Sequence, residues 1–175
     1  GYVFTKLTDD GERDTGEDPY DLTTYPCFGA DVLAPVNAAV TRFDDTFEDN
    51  VPGKVSQSNM LGNFVRLTVG PREHIIIANL KQHSVPFEGE AKEHEVQAGD
   101  KIGECGNSGD ASHPQVKVYA VVDGEKLLFS EGLPLRFDSV EVLGEGTADG
   151  VVPVGSGDPE ELDNGQTVKH RPASK

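Results

Sequence analysis

The chain is short of several things, and each shortage closes a route. Lysine and arginine number 15 against 31 aspartates and glutamates, a net charge of −16. So negative a surface repels phosphate backbones and excludes nucleic acid as an expected partner. No apolar run reaches the roughly 20 residues of a membrane helix, so no membrane span is expected. No helical period of useful length occurs either. The two cysteines, Cys27 and Cys105, cannot form a four-ligand zinc site alone and lie in no Cys-x-x-Cys spacing. Serines flank glycines without making G-x-S-x-G, and no base is placed to activate one. The single methionine, Met60, has no adjacent lysine, which removes the lysine-tipped hairpin of biotinyl and lipoyl domains. His74, His83, His94, His113 and His170 are scattered with no i, i+2 or i, i+4 pair. They supply neither a metal cluster nor the histidine pair of a phosphocarrier domain.

What remains is a β pattern. With 175 residues, 35% hydrophobic content and 20 glycines, the chain reads as one turn-rich globular domain. That length buries a core without help from metal or disulfides. The acidity fits a surface tuned for solubility, as in a high-salt habitat. Residues 1–7 alternate like a strand, and this abrupt start leads us to expect sequence upstream. Residues 8–24 are an acidic Gly/Pro-rich loop. Its Asp9, Asp10, Glu12 and Asp14 lack the spacing and terminal glutamate of a calcium loop. Residues 27–43 carry a hairpin-type signal, with Ala34-Pro35 at the turn. Residues 62–69 and 74–85 are β-branched strands divided by a turn at Gly70 and Pro71. After the connection 86–100 comes a Gly-rich turn, Gly106 to Gly109, and then a strict alternation. Val116, Val118 and Ala120 fall on one face; Gln115, Lys117 and Tyr119 fall on the other. LLF (127–129) and LPLRFDSVEVL (133–143) read as two further strands, and a polar Gly-rich tail begins at Gly144.

Residues 99–118, GDKIGECGNSGDASHPQVKV, closely resemble the end of the core domain of the lysostaphin/LytM-type zinc endopeptidases, which cut peptidoglycan. FGADVLAP, DNVPGK, GNFVRLTV and HIIIANL extend the likeness, and GLPLRFDSVEVLG with PEELDNGQTV matches the ending of one branch. The resemblance implies an all-β fold: the curved antiparallel sheet of that core, related to the duplicated hybrid motif, with long loops. It places the core at residues 1–143 and a loopy C-terminal extension at 144–175. Relatives often carry cysteines at both places, so it also raises a Cys27–Cys105 disulfide against two buried free thiols.

The same resemblance implies a damaged site. In the family a histidine, an aspartate and the second histidine of His-x-His hold zinc, and further histidines do the acid–base work. Here Asn79 stands in the A-H-L place, and an amide cannot exchange protons near neutral pH. Gln115 and Lys117 occupy the His-x-His places. Gln115 offers at best a weak carbonyl oxygen, and a protonated amine repels a divalent cation. Lys117 could instead supply its own charge where the metal's would be, paired with a carboxylate. The early His–Asp pair fits in two ways. Either Cys27 replaces the histidine and Asp31 keeps the aspartate, or the pair lies upstream with Val3 in the aspartate's place. The second agrees better with the surrounding residues. Asp31 and His113 are the vestigial ligand candidates, and no cofactor is expected.

The expectation is a catalytically inactive peptidase-like domain, outside the cytoplasm or at the cell envelope, that binds peptide, glycan or protein or joins an assembly. Two rivals stay open: a divergent zinc hydrolase of the cell wall, and a structural subunit of an envelope or virion assembly.

Overall fold

In a computed structural model, the structure describes residues 1–122, 130–135, 140–147, 150–152 and 166–170. The strands in chain order are β1 (Tyr2–Phe4), β2 (Asp31–Leu33), β3 (Ala38–Asp44), β4 (Asn63–Thr68), β5 (Glu73–Leu80) and β6 (Glu95–Val96). After them come β7 (Lys101–Glu104), β8 (Val116–Val122), β9 (Glu131–Gly132), β10 (Val140–Thr147), β11 (Gly150–Val152) and β12 (Gln166–His170). Two single 3-10 turns, Leu22–Thr24 and Ala91–Glu93, are the helical elements among the described residues. No helix there is long and apolar enough to cross a membrane. Every strand pair is antiparallel. The chain is all-β, as its alternation requires.

Two compact units form, Gly1–Thr8 with Arg13–Leu133, and Asp9–Glu12 with Pro134–Lys175. The first holds a seven-stranded sheet ordered β1-β8-β5-β4-β3-β6, with β9 also on β8, and a separate two-stranded sheet, β2-β7. The second holds a three-stranded sheet, β11-β10-β12. β5 lies between β4 and β8, and its residues 75–80 are buried without a break. That is why HIIIANL reads as a continuous apolar run and not as an alternating one.

The main core lies on one face of the large sheet. Val40, Val65, Leu67, Ile75, Ile77 and Val116 pack there with Ile102 of β7 and with Cys27 and Cys105. Leu61, Phe64, Ile76, Ala78 and Val121 cluster on the opposite face, against Tyr119.

The turn at Gly70 and Pro71 joins β4 and β5 as the sequence predicts. The hairpin over 27–43 is corrected. β2 pairs with β7, whereas β3 pairs with β4 and β6. The Ala34 N–H donates to the Asp100 carbonyl and the Gly99 N–H to the Ala34 carbonyl. These bonds tie the end of β2 to the turn before β7 and leave Pro35 to lead the chain away. The strand expected over 1–7 is limited to Tyr2–Phe4. LLF and residues 136–139 of the next expected strand lie outside the described residues, as do residues 159–165 of the matched ending.

Candidate functional site

The site is framed by the Gly-rich turn that delivers β8. Gly106 lies against the end of β5. Its N–H donates to the Asn79 carbonyl (3.1 Å), and its own carbonyl accepts the Gln115 N–H (3.0 Å). A Cβ on Gly106 would come within 2.2 Å of the Lys81 nitrogen, so only glycine permits this approach.

Around the turn, polar side chains are sealed from water. Asn63, Asn79, Asn107 and Ser108 are each 0% exposed. Ser108 Oγ donates to the Leu80 carbonyl (2.7 Å) and accepts the Asn63 N–H (2.9 Å). Asn63 Nδ2 donates to the Phe47 and Leu80 carbonyls, and its Oδ1 accepts the Phe47 N–H. Asn50 Nδ2 reaches the Gly109 and Ala111 carbonyls, and Asn107 Nδ2 reaches the Asn50 carbonyl. Asp49 accepts the Asn107 and Gln82 N–H groups at 2.6 and 3.0 Å. Burial nevertheless raises its pKa, outweighing those donors. These bonds fasten the loop between β3 and β4 to the turn, and they leave two buried amide oxygens, Asn79 Oδ1 and Asn107 Oδ1, without a partner among the described residues.

Next to this knot, the second face of the large sheet carries several of the candidate side chains. Register sets Val3, Lys117, Ala78, Phe64 and Asp44 in one cross-strand row. Tyr119, Ile76, Arg66 and Arg42 form the next row. His74 and Thr68 are paired in a third. A hydrogen-bond chain crosses them: Arg66 Nε donates to Thr41 Oγ1 (2.9 Å), which is 3.0 Å from Thr68 Oγ1, itself 2.9 Å from His74 Nδ1. Tyr119's pKa is raised by burial and then by Asp110.

Several residues singled out from sequence meet here. Asn79 follows Ala78, the cross-strand partner of Lys117, and the backbone of Gly106 links it to Gln115. Asn79 adopts a left-handed backbone (φ 62°), which asparagine tolerates better than most residues. Its Nδ2 donates to the Ser108 carbonyl at 2.6 Å and to the Leu61 carbonyl at 3.4 Å. The Lys117 side chain is 14% exposed. Its ammonium donates to the Asp110 carbonyl and lies 3.6 Å from the Asp110 carboxylate. Val3 faces Lys117 across the ladder. Cys27 and Cys105 are joined in a disulfide, with Cys105 next to Gly106.

The other two candidates sit apart. Asp31 is on β2 and binds the Lys101 ammonium at 2.6 Å. His113 packs against Tyr25 and hydrogen-bonds Ser112 Oγ. Burial, followed by Arg13, holds its pKa below the usual value.

A zinc centre needs neutral or anionic lone-pair donors converging on one point. Lys117 brings an ammonium, Asn79 offers only a neutral amide oxygen, and Asp31 pairs with Lys101. Among the described residues, no group of three or more histidines, cysteines or acids could hold a metal ion.

Sequence reasoning missed Arg42, Arg66 and Asp110. In β4 the signal was present, since Phe64, Arg66 and Thr68 alternate with Val65 and Leu67 and so face away from the main core.

His74 gives a pH prediction. Burial, and then the Arg66 guanidinium, hold its pKa below 6.5, its ordinary value. The native state therefore takes up its proton later than the unfolded chain does. This site's contribution to stability is present at neutral pH and falls as the pH drops below about 6.5, the value for the unfolded chain. The decline ends once the folded imidazole titrates too. An NMR titration of the His74 ring against a model peptide checks the direction; an unshifted midpoint overturns it.

No family model matches the chain, and no curated protein does. Solved structures do resemble it. One is a mutant catalytic domain of the prophage-encoded protein EnpA from Enterococcus faecalis, with 17% identity, TM-score 0.43, and 69% of this chain and 83% of that one covered. Another is the catalytic domain of the antimicrobial peptidase lysostaphin from Staphylococcus simulans, with 16% identity, TM-score 0.43, and 65% and 82% covered. A third is LytU, with 17% identity, TM-score 0.43, and 74% and 81% covered. At these values the likeness carries no weight of its own, and the chemistry is read from this chain's side chains.

Proposed function

We propose that this chain is a non-cleaving relative of the lysostaphin-type peptidases, one that binds cell-envelope peptide or glycan at the second face of its large sheet. The supporting observation is the Lys117 ammonium, shielded and held by Asp110 in the place of a histidine ligand. A fixed cation there opposes a divalent metal, and without the metal nothing lowers the pKa of the attacking water. Asn79, locked to the turn by its amide nitrogen, gives no general base. The Cys27–Cys105 bond is in keeping with an oxidising, extracytoplasmic setting.

The test uses the purified full chain. Metal analysis after zinc loading and dialysis is expected to find far less than one zinc per chain. Cross-linked wall peptide is expected to stay uncut while the protein sediments with wall material. Stoichiometric zinc with cleavage would overturn the reading, and so would absence from the wall pellet.

A further inference from the structure

The second face of the large sheet carries a hydrogen-bond chain whose direction is not arbitrary. Thr41 owes its place to an irregularity in the sheet. The register of β3 on β4 slips between Val40 and Arg42, so Thr41 has no partner in the ladder. A bulge of this kind re-aims a side chain. The Thr41 hydroxyl is brought to Arg66 Nε (2.9 Å) and Thr68 Oγ1 (3.0 Å), and Thr68 Oγ1 lies 2.9 Å from His74 Nδ1. A guanidinium only donates, which fixes the first bond. Each hydroxyl has one proton, so the other two directions are tied together. In the outward order Thr41 donates to Thr68, and Thr68 donates to a bare Nδ1. In the reverse order the Nδ1–H donates to Thr68, and Thr68 donates to Thr41. The Thr41 proton must then turn to the Arg66 carbonyl, at 3.4 Å. That contact is longer than an ordinary hydrogen bond. The Arg66 charge favours the outward order, which points both hydroxyl oxygens at the guanidinium and both protons away.

We propose that these two hydroxyls form a proton-ordered switch operated by His74. While the imidazole is neutral, the chain runs outward and locks it as the Nε2–H tautomer. An imidazolium carries hydrogen on both nitrogens, so its Nδ1 no longer accepts. Uptake of one solvent proton by the ring therefore obliges both hydroxyls to rotate, with no proton leaving its oxygen. The reversed chain ends on the β4 backbone at Arg66. Among the described residues, the charges that face His74 are Arg66 on β4 and, one strand further, Arg42 on β3. On β8 its partner is Val121, and Tyr119 lies two residues along on the same face. Glu73 and Glu131 share the neighbouring row with Val122 and fall on the opposite face. Burial, and then Arg66, disfavour the charged ring, so the outward order is the resting one at neutral pH.

Long-range proton–nitrogen NMR of the full chain, labelled at histidine, tests this. It uses no ligand and so stands apart from the binding reading. Above its titration, wild-type His74 is expected to show a single tautomer, protonated at Nε2 and bare at Nδ1. Thr68→Val removes the donor, and the Nδ1–H tautomer is expected to appear. Thr41→Val strands the Thr68 proton only in the reversed order. The His74 midpoint is therefore expected to fall by about 0.5–1 pH unit, as for one lost hydrogen bond. Thr41→Ser is expected to keep the wild-type midpoint. An Nδ1–H tautomer or a mixture in the wild type overturns the lock, and that measurement needs no variant. A single tautomer in Thr68→Val overturns it too. An unchanged midpoint in Thr41→Val, or a lowered one in Thr41→Ser, overturns the relay through Thr41.

Discussion

Gly106→Ala is expected to cost about 3 kcal/mol, at the upper end of overpacking, and to lower the melting temperature by roughly 6–12 °C. A methyl group there would lie 2.2 Å from the Lys81 nitrogen, 2.4 Å from the Leu80 carbonyl carbon and 2.5 Å from the Lys81 Cα. All three are backbone atoms, so no rotamer change gives relief, and the turn must back away from β5. Backing away breaks the Gly106 bonds to Asn79 and Gln115 and draws on the Ser108 and Asn63 bonds behind them. Gly53→Ala is the control. Its backbone is left-handed (φ +85°), but nothing lies within 4 Å of the added carbon. It is expected to lose only the left-handed strain, about 1 kcal/mol. Thermal unfolding of the two variants side by side checks the contrast. Equal shifts would mean that the turn is not packed on β5 as described.

The alternation after Pro114 was legible because a strand with one face on a core must repeat every two residues. Val116 and Val118 do pack into the core, while Lys117 and Tyr119 point the other way. The pairing of β2 was not legible. Three residues, DVL, suit a strand but name no partner, and a turn 65 residues or so downstream supplies one through Ala34 and Asp100. The buried knot was hidden for a different reason. Asn63, Asn79, Asn107 and Ser108 are residue types that usually mark exposed turns, and their burial depends on several segments meeting. The resemblance points to the turn, Asn79, Gln115 and Lys117 as a candidate site. It said nothing of Arg42 and Arg66, whose adjacency arises from the register of β3 on β4 and from the bulge between Val40 and Arg42.

Opening the Cys27–Cys105 bond is expected to remove about 2–5 kcal/mol of stability. The bridge spans 78 residues of sequence, so in the unfolded chain it closes a long loop whose freedom returns when the bond is cut. The folded state has less to lose. The Gly29 N–H still donates to the Cys105 carbonyl, and the Cys105 N–H to the Ala30 carbonyl, whether or not the sulfurs are joined. The cost therefore falls chiefly on the unfolded side and has a recognisable signature. A Cys27→Ala/Cys105→Ala double variant should unfold at lower urea with a steeper slope, because its denatured state exposes more surface. Alanine is the apt replacement, since both sulfurs are buried and a serine hydroxyl would add a polar group to the core. Urea curves for the oxidised protein, the fully reduced protein and the double variant decide the matter. An unchanged midpoint after reduction, with two free thiols counted by a thiol reagent, would refute the stabilising role of the bridge. The turn at Gly106 would then have to be held by the buried asparagines and Ser108 alone.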